Sequence, residues 1–359
     1  MGIKRLRNTL LEKCTGTGVL RFNSFQDFIK NEKKRLGFRG PYFVGIDAYL
    51  YANRYKRVCQ RIEYAFFTQI IQSLSIGIIP IYIFDGRAPE QKRKTIKKRE
   101  NERNRNWEKL QQMLVTCKVN LNDLIKTDRH GYFIYDQPNT SEQNQLIIKL
   151  FKKSIRLDHS DISNVKSFLD FLKIPYILAK GEADDVMADL YRAGIIHACQ
   201  SDDMDMLPKG CGNVIQIAKK TVTQFLLPEI LRGVRMSYVE FVDYCILLGS
   251  DYYSSYALKM KPNDMYNIFI QNPSIELFIQ SFSKTDPKVL NHLENYKKIR
   301  YFFLTEYPAE QFIYDPTIIC LKTINRYFRE KQIVLNKDDQ RKILPIIRKI
   351  NLFISSLMR

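Results

Sequence analysis

Long apolar runs are missing from this chain. No stretch of eighteen or more apolar residues occurs in the 359, so a membrane-spanning helix is not expected. The opening MGIKRLRNTLLEKC lacks the apolar run of a secretory signal. Met1-Gly2 begins like a myristoylation motif, but that motif asks for Ser or Thr at position 6, where Leu6 stands. Paired cysteines are missing too. The seven (Cys14, Cys59, Cys117, Cys199, Cys211, Cys245, Cys320) are odd in number, scattered, and never spaced C-x-x-C. That argues against a zinc site or a disulfide framework, and for a reducing compartment in which most are small buried hydrophobes. Internal repeats and low-complexity tails are absent as well.

Negative charge is in short supply. Lys and Arg number 57 against 38 Asp and Glu, a formal net charge of +19. Such an excess favours a polyanionic partner, of which nucleic acid is the commonest. With 45% hydrophobic residues, the chain can bury a sizeable core.

Two apolar runs end in an acid: YFVGID at 42–47 and IPIYIFD at 79–85. Continuous apolar or β-branched runs suit strands covered on both faces. Between them, residues 61–76 carry apolar side chains at helical spacing up to Gly77. The pattern returns with a strand at 174–179, a helix at 182–193 and strands at 195–200 and 214–218. The expected fold is α/β, with a mostly parallel central sheet and helices on both faces. Ligand sites in such sheets lie beyond the carboxyl ends of the strands. Residues 88–160 differ: from Arg87 to Lys109 ten basic residues stand against four acidic ones, on a segment expected to be helical at first. Past residue 270 the chain reads helical and basic.

The scarce acids fall in informative places. Asp47, Asp85, Glu182, Asp184, Asp203, Asp205 and Asp251 lie at strand ends and helix starts. Two carboxylates about 4 Å apart repel by roughly 4 kcal/mol at an effective dielectric near 20. A set gathered in one cleft therefore calls for cations. Oxygen-only ligands, with no Cys or His nearby, suit Mg²⁺ or Mn²⁺. A pair of such ions can hold both the attacking and the leaving oxygen of a phosphodiester. In SDDMDML (201–207), an extended backbone would aim Asp203 and Asp205 one way and Asp202 and Met204 the other.

These residues carry a resemblance. MGIKRL, VGIDAY, IYIFDGRAPEQK, AKGEADDVMADL, SDDMDML and FVDYCILLGSDYY, in this order over about 250 residues, resemble the XPG-type flap endonuclease family of structure-specific 5′ nucleases. TINRYFREKQIVLNKDDQRKIL is similar, more weakly, to the family's C-terminal portion. The resemblance implies that the seven acids bind two Mg²⁺ ions, with Mn²⁺ an acceptable substitute. It implies catalytic roles for Lys92 and Arg99 beside Asp47, Asp85, Glu182 and Asp203. It also implies that the basic segment forms a helical arch, and that Gly2 packs close to the site. DNA contacts are expected from Gly2, Lys92, Arg93, Lys94, Lys97, Lys98, Arg99 and Arg103, and from Lys259 and Lys261 in a helical DNA-binding region after the last strand.

The implied organisation is a nuclease core split between 1–87 and 161–270, an arch insertion at 88–160, and a helical region at 271–359 packing on the core. Branched or flapped DNA is the implied substrate, in replication or repair, with the protein monomeric, off the membrane and in the nucleus (a host nucleus if viral). Within the same class a 5′→3′ exonuclease or gap nuclease stands as an alternative, as does a magnesium-dependent ribonuclease. From another class, a non-catalytic DNA-binding accessory factor would use the same net charge. Three departures stand out: Leu258 and Met260 replace hairpin glycines that serve a K⁺ site, Asn53 replaces a stacking tyrosine, and NLFISSLMR lacks a sliding-clamp motif.

Overall fold

The structure is a computed structural model that describes residues 2–3, 5–37, 40–135, 141–218, 220–251, 262–282, 296–305 and 320–357. The chain divides into two compact units. The first comprises Met1–Asp47, Tyr82–Thr95 and Ile177–Gln311; the second comprises Ala48–Ile81, Ile96–Tyr176 and Phe312–Arg359. The described strands are β1 (Val19–Phe22), β2 (Tyr42–Asp47), β3 (Ile78–Phe84), β4 (Ile125–Thr127), β5 (Phe133–Tyr135), β6 (Tyr176–Leu178), β7 (Ala198–Gln200), β8 (Asn213–Ala218) and β9 (Thr221–Leu226).

The first unit is built on a sheet ordered β1-β9-β8-β7-β2-β3-β6. Its centre is parallel. β7 runs alongside both β2 (Val44 opposite Ala198) and β8 (Cys199 opposite Val214). The expected strands at 42–47 and 79–85 are present, and all seven residues of β3 are buried, as a strand covered on both faces requires. One edge departs from the parallel pattern, because β9 pairs antiparallel with both β8 and β1. The helix expected over 182–193 runs Ala183–Arg192. Helix Tyr238–Leu248 begins with a capping box in which Ser237 and Glu240 satisfy each other's backbone N–H groups. All seven cysteines are free and five are buried, in keeping with the role of small hydrophobes.

The second unit is mostly helical. The helix expected over 61–76 runs Ile62–Ser75. It packs against helices His159–Leu172 and Lys337–Leu357. Phe67, Phe168 and Phe328 form an aromatic centre there, and His130 stacks on Tyr64 with ring centroids 4.3 Å apart. The basic segment forms a 25-residue helix, Arg93–Cys117, on which Leu110 is the one buried residue. Leu110 packs with Leu124, Ile125, Ile147 and Leu150 in a small core of its own. A helix anchored at so few points keeps its charged sides in water.

In the first unit, Arg300 ties three helices together. Its guanidinium grips Asp243 with two bonds of 2.6 Å, and Glu276 with bonds of 2.9 and 2.8 Å. Asp243 is 2% exposed, so its charge depends on that fork. Arg300→Ala leaves a buried carboxylate unpaired and is expected to cost about 3–5 kcal/mol. Urea unfolding checks this; a loss below about 1 kcal/mol would show that the fork is dispensable.

Candidate active site

Local structure explains how acids come to lie side by side in the first unit. Asp47 is the last residue of β2, and Asp85 follows the last residue of β3. Past Asp85 the chain doubles close to the loop after β6, with Gly86 N–H donating to the Gly181 carbonyl at 2.7 Å. A Cβ at residue 86 would meet the Ala179 carbonyl at 2.0 Å, so only glycine fits. The contact brings Asp85 to the start of helix Ala183–Arg192, where its carboxylate accepts the Ala183 N–H at 2.7 Å. Glu182 is the N-cap of that helix and Asp184 lies in its first turn, where the helix dipole favours negative charge.

Asp203 and Asp205 arrive differently from the expectation. The segment after β7 is not extended: Met204–Met206 form a 3-10 turn capped by Asp203, whose carboxylate accepts the Asp205 N–H at 2.9 Å. Side-chain alternation therefore does not set their directions; the turn does. Both carboxylates still reach one spot, beside Gly2. A Cβ on Gly2 would lie 1.8 Å from Asp203 Oδ1 and 2.8 Å from Asp205 Oδ1, and Gly2 has φ +74°. Asp251, half-buried, belongs to the same unit, and its carbonyl accepts the Thr95 hydroxyl at 2.9 Å.

The electrostatics are severe. Glu182, Asp184 and Asp203 are each 6–7% exposed and Asp205 is fully buried. Asp184 Oδ1 and both carboxylate oxygens of Asp205 have no hydrogen-bond partner. Burial first, and then Asp203 and Asp85, push the Asp184 carboxyl up to about 7, against the pull of Lys209 and Lys92. Burial, with Asp203 next, raises Asp205 well above the usual carboxylate range. Two ammonium groups stand among the acids. Lys92 pairs with Glu182; burial disfavours its charge, but Asp184, Glu182 and Asp203 outweigh that and raise its pKa. Lys209, 3% exposed, pairs with Asp185 at 2.7 Å, and Asp184, Asp185 and Asp205 likewise overcome its burial.

Among the described residues no three carboxylates form a ready coordination shell. The donor set nevertheless fits hard cations: buried oxygens without partners, oxygen ligands alone, and a close approach of Gly2 to Asp203 and Asp205 that any side chain would block.

The remaining predicted residues divide. Arg93, Lys94, Lys97 and Lys98 are exposed on helix Arg93–Cys117, while Arg99 and Arg103 on the same helix are half-buried. Arg99 falls in the second unit. Lys259, Lys261, Leu258 and Met260 lie outside the described residues. Lys209 and Asp185 escaped the sequence reading. A lysine in a Pro-Lys-Gly turn looks like a surface residue, and Asp185 looks like ordinary first-turn acid; only the fold buries Lys209 and pairs it with Asp185.

The raised Asp184 carboxyl has a consequence for stability. A folded-state pKa above the unfolded value stabilises the protein below about pH 4, and that stability is lost as pH rises toward 7. The metal-free protein should therefore melt lower at pH 8 than at pH 5. Asp184→Asn is expected to recover about 2–4 kcal/mol at pH 8. Thermal melts in chelator at the two pH values check this, and an unchanged or lowered melting temperature for the variant at pH 8 would refute it.

Comparison with known proteins bears on what the site belongs to. Sequence models of the XPG N-terminal domain and the XPG I-region match residues 1–106 and 173–251. The chain is 29% identical over 244 residues to flap endonuclease 1 of Entamoeba histolytica, covering 66% of this chain and 57% of the relative. Flap endonuclease 1 of Homo sapiens is 28% identical over 264 residues, covering 71% and 60%. The match thus spans less than two thirds of the relatives' length. In fold, the chain resembles a Rad2 catalytic core bound to DNA substrate (TM-score 0.61, 16% identity, 96% of this chain and 100% of that one). It also resembles the flap endonuclease-1 of Methanococcus jannaschii (TM-score 0.60, 17% identity, 95% and 98%). All seven strand-end and helix-start acids fall within the two matched regions, and on that ground the chain belongs to the XPG-type flap endonuclease family.

Proposed function

We propose that this protein is a divalent-metal-dependent, structure-specific nuclease that cleaves 5′ flaps or related branched DNA. One observation carries the reading: buried carboxylates gathered in one unit, with oxygens left unpartnered at Asp184 and Asp205, in a protein of net charge +19. Asp47, Asp85, Glu182 and Asp184 would hold one ion, and Asp203, Asp205 and Asp251 the other. When bound, two Mg²⁺ or Mn²⁺ ions supply the charge that in-line phosphodiester hydrolysis needs.

The chain's own residues do the rest. Gly2, having no side chain, lets the N-terminal backbone approach Asp203 and Asp205 closely. Lys92 rests against Glu182, where its ammonium would stabilise the charge that develops on the scissile phosphate. Arg99, which belongs to the second unit, is in this reading a further catalytic cation. Arg93, Lys94, Lys97, Lys98 and Arg103 follow the backbone without reading sequence, so selection rests on DNA shape. Replication or repair in the nucleus is the setting that goes with this activity, and the eukaryotic relatives support it.

Cleavage of an end-labelled 5′ flap with and without Mg²⁺ tests the reading. A nicked duplex run beside it separates endonuclease from exonuclease by product length. Asp203→Asn is expected to abolish cutting while flap affinity in Ca²⁺ stays within about threefold. Lys92→Met should lower kcat by roughly 10²–10³-fold with little change in KM. Normal Mg²⁺-dependent cutting by Asp203→Asn would sink the assignment.

A further inference from the structure

Lys209 is built in. Its own N–H donates to the Asp205 carbonyl at 3.1 Å, and its carbonyl accepts from Arg192 Nη1 at 2.7 Å. The preceding carbonyl, of Pro208, accepts the Tyr238 hydroxyl at 2.7 Å. With its backbone pinned on both sides, the side chain is 3% exposed and cannot extend its head into water as surface lysines do. Its Nζ lies 2.7 Å from Asp185 Oδ1 and 5.1 Å from the centroid of the Phe302 ring, a cation–π distance.

One carboxylate is poor compensation for a buried ammonium. The remaining field of Lys209 falls on Asp184 and Asp205, two acids of the cluster with buried oxygens that have no hydrogen-bond partner. Cation and acids therefore offset each other's burial. Nor is Lys209 placed for chemistry, since its ammonium is enclosed and already engaged by Asp185.

We propose that Lys209 is a fixed internal counter-ion of the carboxylate cluster, a positioning residue that holds Asp184 and Asp205 together in the absence of metal and limits how tightly the site takes a divalent ion. This rests on reading the cluster as a divalent-metal site. It makes a prediction of unusual sign. Removing Lys209 should weaken the metal-free protein and strengthen metal binding, because the ion then enters a more negative site. If Lys209 were only a packing element, its loss would disorder the cluster and weaken binding.

The test is calorimetric titration of the full chain with Ca²⁺, with thermal melts in chelator and in Ca²⁺, for the parent, Lys209→Met and Lys209→Gln. Both variants are expected to bind Ca²⁺ roughly tenfold tighter than the parent. They should also melt lower in chelator and gain more from Ca²⁺. Variants that are unfolded in chelator but folded by Ca²⁺ would show the same substitution of metal for ammonium. Unchanged or weaker binding overturns the proposal, as does failure to fold even with Ca²⁺ present. A parent that takes up no Ca²⁺ refutes the metal-site reading itself, whereas a parent that binds while the variants bind equally well refutes only the role of Lys209.

Discussion

Repulsion between buried carboxylates is the constraint around which the first unit is arranged. Each pair at about 4 Å costs roughly 4 kcal/mol at an effective dielectric near 20. Carboxylates at such a site would separate, protonate or stay in water unless something held them. Here the backbone holds them. Asp47 and Asp85 are fixed by the ends of two buried strands, and Asp203 is locked by capping its own 3-10 turn. Glu182 and Asp184 draw partial compensation from a helix N-terminus. Packing of strands such as β3, wholly buried, supplies the stability against which this strain is set.

Charge is then sorted by depth. Four of the clustered acids, Glu182, Asp184, Asp203 and Asp205, are buried, whereas much of the base is exposed on a helix with a single buried residue among 25. The arrangement is economical because the two signs have different tasks. In the proposed reading, metal ligands must be held in fixed geometry, and these acids sit on rigid elements. Groups proposed to follow a phosphate backbone need reach, and exposed side chains such as Arg93, Lys94, Lys97 and Lys98 have it.

Much of this was legible from sequence because it is local. An apolar run ending in Asp reads as a buried strand with an acid at its carboxyl end, and β2 and β3 are such strands. Helix Ala183–Arg192 was equally plain from its spacing and the Gly194 stop. What escaped was set at a distance or by short turns. The VLRF strand β1 has only four residues and exists because β9 pairs with it across two hundred positions. The 3-10 turn at Met204–Met206 overrode alternation, since three residues are too few for periodicity to report. Lys209 and Asp185 are each unremarkable in sequence, and become an ion pair only once the loop after β7 folds over the first turn of helix Ala183–Arg192.

The two lysines among the acids illustrate why the same residue type can have opposite duties. Lys92 precedes the long basic helix and keeps 15% of its side chain exposed, so its pairing with Glu182 can be exchanged for another anion. Lys209 is enclosed, pinned through its own and its neighbour's backbone, and paired with an acid that holds no metal in this scheme. On the proposed mechanism, a cation that turns to substrate cannot also be the one that keeps the cluster assembled, because the acids would then repel. Dividing the task between a lysine that can move and one that cannot resolves that conflict. It also leaves the permanent ammonium deep among the acids, where it competes with a divalent ion by charge without occupying the ion's place.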